Sequence, residues 1–139
     1  MLYTVQIANI RRMPLGIIPI DITIKTLKPP GDIFAPSGEL FGKYKQGKID
    51  NDEYERIYFE LMRERFIKNP GAIWYLISLA MEKDIALGCF CTPLTFCHRY
   101  FAADIMVKIE PQLVYKGEWE PQKSNVASEQ PTLFQGELS

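Results

Sequence analysis

The sequence predicts a small layered α/β domain, a mainly parallel sheet flanked by helices, followed by a disordered C-terminal tail. Three observations carry this. Ile20, Ile22 and Ile24 alternate with Asp21, Thr23 and Lys25, as a strand with one buried face requires. Tyr54, Ile57, Tyr58, Leu61, Met62 and Phe66 recur at three and four, the spacing of an amphipathic helix. Ile85 to Phe90 is a continuous apolar run, which favours an interior strand of a parallel sheet.

The elements follow in order. Residues 2 to 8 carry aromatic and β-branched side chains and suit a first strand. Pro14 and Gly16 break the chain before a second strand over Ile17 to Thr26. Pro29, Pro30, Gly31 and Pro36 make residues 28 to 36 a loop. Ser37 is placed as the N-cap of a short helix reaching about Lys45, interrupted by Gly47. Asp50 and Glu53, in capping-box spacing, open the longest helix, which Asn69-Pro70-Gly71 ends. Ala72 to Lys83 is a helix apolar almost all round, hence expected to be well buried. After the run at 85 to 90, Thr92 and Pro93 signal a helix starting there or a turn later near Phe96, and reaching about Val107. Pro111 to Tyr115 offers a short edge strand. The domain is expected to span residues 1 to 117, with the polar residues 118 to 139 as a flexible tail.

Composition narrows the function classes. Of 139 residues, 47% are hydrophobic and 24% charged, the balance of a soluble globular protein. The formal net charge of -1 does not announce a nucleic-acid or membrane binder. It is uneven, since residues 116 to 139 hold two lysines and four glutamates. No stretch has the apolar length needed to cross a membrane, and the N-terminus lacks the pattern of a signal peptide. Three cysteines, an odd number clustered in such a chain, are expected to be reduced thiols in a cytoplasm.

All three cysteines and the only histidine fall between Cys89 and His98. In open α/β sheets ligands bind beyond the carboxyl ends of the strands, which gathers Arg11, Arg12, Lys25 and Cys89 to Arg99 at one edge. Three chemistries fit this set. Cys97 near a helix N-terminus and beside Arg99 is a candidate nucleophile, with His98 its base if the backbone turns the ring inward, and Cys89 nearby. Cys89, Cys91, Cys97 and His98 supply three sulfurs and one nitrogen, a set that zinc accepts. Against a metal, consecutive Cys97 and His98 are awkward ligands and Cys89 is expected to point into a sheet. The third chemistry is an anion pocket, in which Arg99, Arg11 and Lys25 bind a nucleotide or a nucleic-acid backbone at the helix N-terminus. Small buried Cys side chains and solvated surface cations account for the same residues without any ligand. Tyr54, Tyr58, Phe59 and Trp74 read as packing, not as a base-stacking platform. The residues name no cofactor.

Ala86-Leu87-Gly88-Cys89-Phe90 followed by Cys97-His98-Arg99 resembles the bacterial and archaeal family known as domain of unknown function 488. Its pattern is an apolar strand ending in Cys, a short loop, and Cys-His-Arg opening a helix. Ala35-Pro36-Ser37, the turn from Tyr44 to Ile49, and Ile20-Asp21-Ile22-Thr23 look like further family features. The resemblance covers about residues 3 to 108 and implies a bacterial or bacteriophage protein. It adds Asp21, Ser37 and Tyr44 to the ligand-binding set. This sequence departs from the pattern by the extra thiol of Cys91. Cys-Phe-Cys then Cys-His also resembles a second uncharacterised family with a Cys-His-Gly-Asp motif, from which Arg99 departs.

The tail holds a separate clue. Gln130, Leu133 and Phe134 resemble the peptide by which bacterial proteins dock on the replicative sliding clamp, except for Pro131. The combined expectation is a protein that binds or acts on a nucleotide or nucleic acid and is tethered to the clamp. The alternatives are a non-catalytic accessory or inhibitory protein and a structural zinc-binding protein.

Overall fold

The computed structural model describes residues 1–122, and every structural statement below concerns those residues. Strands β1 (Leu2–Gln6), β2 (Ile17–Asp21), β3 (Asp84–Cys89) and β4 (Tyr115–Trp119) form one sheet in the order β2-β3-β1-β4. Every pairing is parallel, with Leu2 opposite Ile85, Ile17 opposite Asp84, and Leu2 opposite Tyr115. Helices α1 (Gly38–Lys45), α2 (Asn51–Lys68), α3 (Pro70–Glu82) and α4 (His98–Ile109) pack around it. The expected α/β architecture with a parallel sheet is therefore present.

β3 lies inside the sheet and both of its faces are covered, which is why its sequence does not alternate. Ile85 and Leu87 join the main core with the helices, where Phe34, Tyr58, Leu76 and Ala103 are fully buried. Ala86 joins Val5, Met13 and Ile17 in a smaller cluster, covered in part by Ile10 and Trp119. α2 buries Tyr54, Tyr58 and Met62, spaced four apart, and Asp50 caps it by accepting a 2.8 Å bond from the Glu53 amide. α3 is less buried than its composition predicts. Ile73, Leu76, Ile77 and Ala80 face the core, whereas Trp74, Tyr75 and Met81 are exposed.

Three boundaries differ from the sequence expectation. β2 stops at Asp21, whose carboxylate accepts from both the amide and the hydroxyl of Thr23 at 2.8 and 2.7 Å. That turn diverts the chain, so Lys25 and Thr26 leave the strand. α4 starts at His98, beyond Thr92 and Phe96, because residues 90 to 97 form an irregular segment held by α4 itself, as described below. The edge strand is Tyr115–Trp119, not Pro111 to Tyr115, so Glu118 and Trp119 belong to the sheet. The expected domain end at residue 117 cuts through that strand.

The Pro-rich segment before α1 is more than a connector. Gly31–Phe34 forms a single 3-10 turn that inserts Phe34 into the core. Gly31 is buried against β2, where an added Cβ would overlap the Asp21 carbonyl oxygen and stand 2.8 Å from its carbon. Backbone cannot yield as a flexible side chain does. Gly31→Ala is therefore expected to lower the unfolding free energy by about 1–3 kcal/mol, the usual cost of overpacking. A urea midpoint unchanged from the parent would contradict this contact.

Candidate functional site

Because the sheet is parallel, Gln6, Asp21, Cys89 and Trp119 end their strands at one edge, and the site lies there. Cys89 closes β3. Cys97 is the N-cap of α4 in extended conformation (φ -160°, ψ 143°), and His98 is the first helical residue. The change of backbone conformation between these neighbours brings both side chains to the same place. The His98 Nδ1 lies 3.9 Å from the Cys97 sulfur and 4.0 Å from that of Cys89. Cys91 completes a cluster whose three sulfurs all lie within 4.8 Å of one another. Cys89 and Cys97 are buried and Cys91 is exposed.

The protonation of this cluster follows from its contacts. His98 Nε2 is 2.8 Å from the Ile22 carbonyl oxygen, which can only accept, so Nε2 carries the hydrogen and Nδ1 faces the sulfurs with a lone pair. Burial pushes the imidazole pKa down, against the Ile22 carbonyl, which favours the charged ring. The neighbouring Cys89 and Cys97 thiols, with Arg99 nearby, hold the Cys91 thiol well below its usual range. The same contacts, with burial, push Cys97 and Cys89 up. Three sulfurs this close support one negative charge far more readily than two or three.

The Arg99 guanidinium, expected to bind an anion, is engaged by the protein itself. Its side chain is fully buried, and Nε and Nη2 donate to the two carboxylate oxygens of Glu118 at 3.1 and 3.0 Å. Nη1 donates to the Cys91 carbonyl at 3.1 Å and the Cys97 sulfur at 3.3 Å, while Nη2 reaches the Thr92 carbonyl and the Tyr100 hydroxyl. A guanidinium has five N–H groups, and these contacts engage them all. Burial works against the charge, and Glu118 more than offsets it, so the Arg99 pKa is raised. Arg99 is thus the clamp that shapes the segment 90–97. Glu118, its partner, was missed in the sequence because it stands in a polar stretch with no periodicity.

The other expected residues divide. Lys25 and the Tyr44 ring line a cavity of about 410 Å³ together with the three cysteines and His98. Its walls are the aromatic rings of Phe41, Tyr44, Tyr54, Phe90 and Phe96. Tyr44, Tyr54 and Phe96 pack on one another with centroids 5.1 to 5.4 Å apart. Lys25 and Lys45 stand at this cavity, each with its ammonium 5.7 Å from a ring, Phe90 and Phe41 respectively. Tyr54 packs in the core as expected and also forms a wall; Lys45, Phe41, Phe90 and Phe96 were not singled out, for lack of any motif. Asp21 and Ser37 are not among the lining residues. The Asp21 carboxylate is taken by Thr23, with a pKa that burial raises but these bonds bring below the usual value, and the Ser37 hydroxyl caps α1 by accepting from the Leu40 amide at 3.1 Å. Arg11 is exposed in the 3-10 segment Ile7–Arg12 and does not line the cavity. Gln130, Leu133 and Phe134 lie outside the described residues.

A family model described as the active DUF488-N3 subclade, DUF488-N3a, matches residues 5–110, a span holding the cysteines, His98 and Arg99. The chain belongs to the DUF488 family. The resemblance drawn from Cys-His-Arg was therefore the right one of the two families. β4 and Glu118 lie beyond the matched residues, so the partner of the DUF488 arginine comes from outside that span. No curated protein and no solved structure matches the chain. Among the described residues no helix of this DUF488 protein is long and apolar enough to cross a membrane.

Proposed function

We propose that this DUF488 domain binds a nucleotide in the aromatic cavity, with the base between the rings and the phosphates at Lys25 and Lys45. The observation that carries the reading is the cavity itself, about 410 Å³ with aromatic walls and two lysines beside a sulfur-lined floor. That volume falls in the range of small-molecule sites, roughly 300–1,000 Å³. Phe41 and Phe90 are already 40% and 53% exposed, so their faces are open to a stacked base. Base–aromatic stacking contributes about 1–3 kcal/mol per base. Two lysines suit a mononucleotide better than a nucleic-acid strand, which is held by many phosphate contacts along its length. The bound nucleotide lies against Cys91, the exposed thiol of the cluster. The subclade's description as active fits a site that acts on its ligand as well as binding it.

The test is calorimetric titration of the reduced protein with nucleoside mono- and diphosphates and with a short single-stranded oligonucleotide. Mononucleotide binding is expected, weakened roughly tenfold or more in Lys25→Glu or Lys45→Glu, the worth of a charge-assisted hydrogen bond. Both lysines are exposed, so these variants keep the fold. Absence of nucleotide binding would remove the reading. Binding of the oligonucleotide alone would transfer it to nucleic acid.

A further inference from the structure

We infer that Cys89, Cys91, Cys97 and His98 form a tetrahedral zinc site at the floor of the cavity, with three thiolate sulfurs and the His98 Nδ1 as ligands. The inference goes beyond nucleotide binding and stands on different atoms. Zinc–sulfur bonds of about 2.3 Å and zinc–nitrogen bonds of about 2.0–2.1 Å place tetrahedral ligand atoms roughly 3.5–3.8 Å apart. The observed Nδ1–sulfur distances are 3.9 and 4.0 Å, and the sulfurs lie within 4.8 Å of one another. For these pairs, closing on an ion takes a contraction of about an ångström or less, and Cys91, the exposed sulfur, moves toward the imidazole.

Both sequence arguments against a metal fail in the folded chain. Consecutive Cys97 and His98 converge because one is extended and the next is helical. Cys89, the last residue of its strand, reaches the cavity instead of the sheet interior.

The surroundings match what a metal ligand set needs. A ligating histidine usually donates its other ring N–H to a carbonyl or carboxylate, which fixes the tautomer and aims the free lone pair. His98 makes that bond to Ile22 at 2.8 Å. Arg99 donates to the Cys97 sulfur at 3.3 Å, a stabilising contact for a thiolate. The Tyr58 ring, 5.8 Å from that of His98, packs beside the imidazole. Thiolate and imidazole donors select zinc over magnesium or calcium, which take oxygen. A disulfide would use two of the three thiols and leave one, whereas zinc engages all three. As zinc binds, the thiol protons pass to solvent and no electron is transferred.

The test uses the full chain, reduced, stripped with a chelator and reloaded with zinc. Native mass spectrometry is expected to show one zinc per chain, and cobalt in its place to give the intense visible spectrum of tetrahedral thiolate coordination. Cys91→Ser, at the exposed ligand, should weaken zinc by more than the about 10–100-fold typical of losing a supporting partner. Lys45→Glu should bind zinc as the parent does, which separates this site from nucleotide binding. A parent chain without zinc at equimolar metal, a cobalt spectrum of octahedral type, or unchanged affinity in Cys91→Ser would each overturn the inference.

Discussion

Glu118→Ala is expected to lower the unfolding free energy by about 3–5 kcal/mol, the cost of leaving a buried charge without its partner. The Arg99 and Glu118 side chains are 0% and 2% exposed, joined by two bonds of 3.1 and 3.0 Å. Water cannot replace the lost carboxylate without opening the segment 90–97, whose Cys91 and Thr92 carbonyls Arg99 also holds. Urea denaturation followed by circular dichroism measures the loss. Glu118→Gln, which keeps the shape and removes the charge, should fall between parent and Ala. The double variant Arg99→Met with Glu118→Leu should stay well below the parent, because it also strips the Cys91 and Thr92 carbonyls of their donor. A Glu118→Ala loss under about 1 kcal/mol would instead describe a solvated surface pair. The same reasoning separates two shortened chains: one ending at residue 122 keeps the pair, and one ending at 117 loses it.

Phe34→Ala is expected to cost about 3–5 kcal/mol, as large-to-small changes at buried aromatic residues do. Phe34 is fully buried in the main core, and its carbonyl accepts a 2.7 Å bond from the Tyr58 hydroxyl. Arg65 fastens the same turn from α2 by donating to the Ile33 and Ala35 carbonyls at 2.8 and 2.6 Å. Removing the ring leaves a cavity that this pinned backbone cannot collapse to fill. Thermal or urea unfolding reads the change directly, and a loss below about 1 kcal/mol would show that the turn relaxes into the space.

These two positions also mark where the sequence was hard to read. The helices of residues 38 to 82 were legible because caps and periodicity are local: Ser37 and Asp50 bond amides three residues on. β3 was legible because burial on both faces leaves an apolar run. Phe34 was not, since a lone aromatic among prolines and glycines carries no period, and its burial depends on α2. Glu118 was not either, because its partner is set by the docking of β4 beside β1. Within the site, Cys89, Cys91, Cys97 and His98 announced themselves by crowding in the chain. Arg99 stands beside the cysteines, but its guanidinium is satisfied by a buried carboxylate nineteen residues away, which no local pattern announces. The walls of the cavity come from Phe41, Tyr44, Tyr54, Phe90 and Phe96, dispersed along the chain, and only folding assembles them.

The all-parallel sheet also dictates the order of events while the chain folds. No two sequential strands form a hairpin: Ile17 meets Asp84, Leu2 meets Ile85, and Leu2 again meets Tyr115. Closing such long loops carries an entropic penalty before any pairing rewards it, so the sheet is expected to be slow and late. α1 to α3 form from local contacts first, and β1 and β2 wait, unpaired, until β3 is available between them. The cysteines cannot gather before Cys89 is anchored and α4 has turned His98 inward. The last step is the arrival of β4 with Glu118, which locks Arg99 and, through it, the segment carrying Cys91. Site maturation is thus expected to follow completion of the fold, because Glu118 fixes the arginine that holds the segment carrying Cys91.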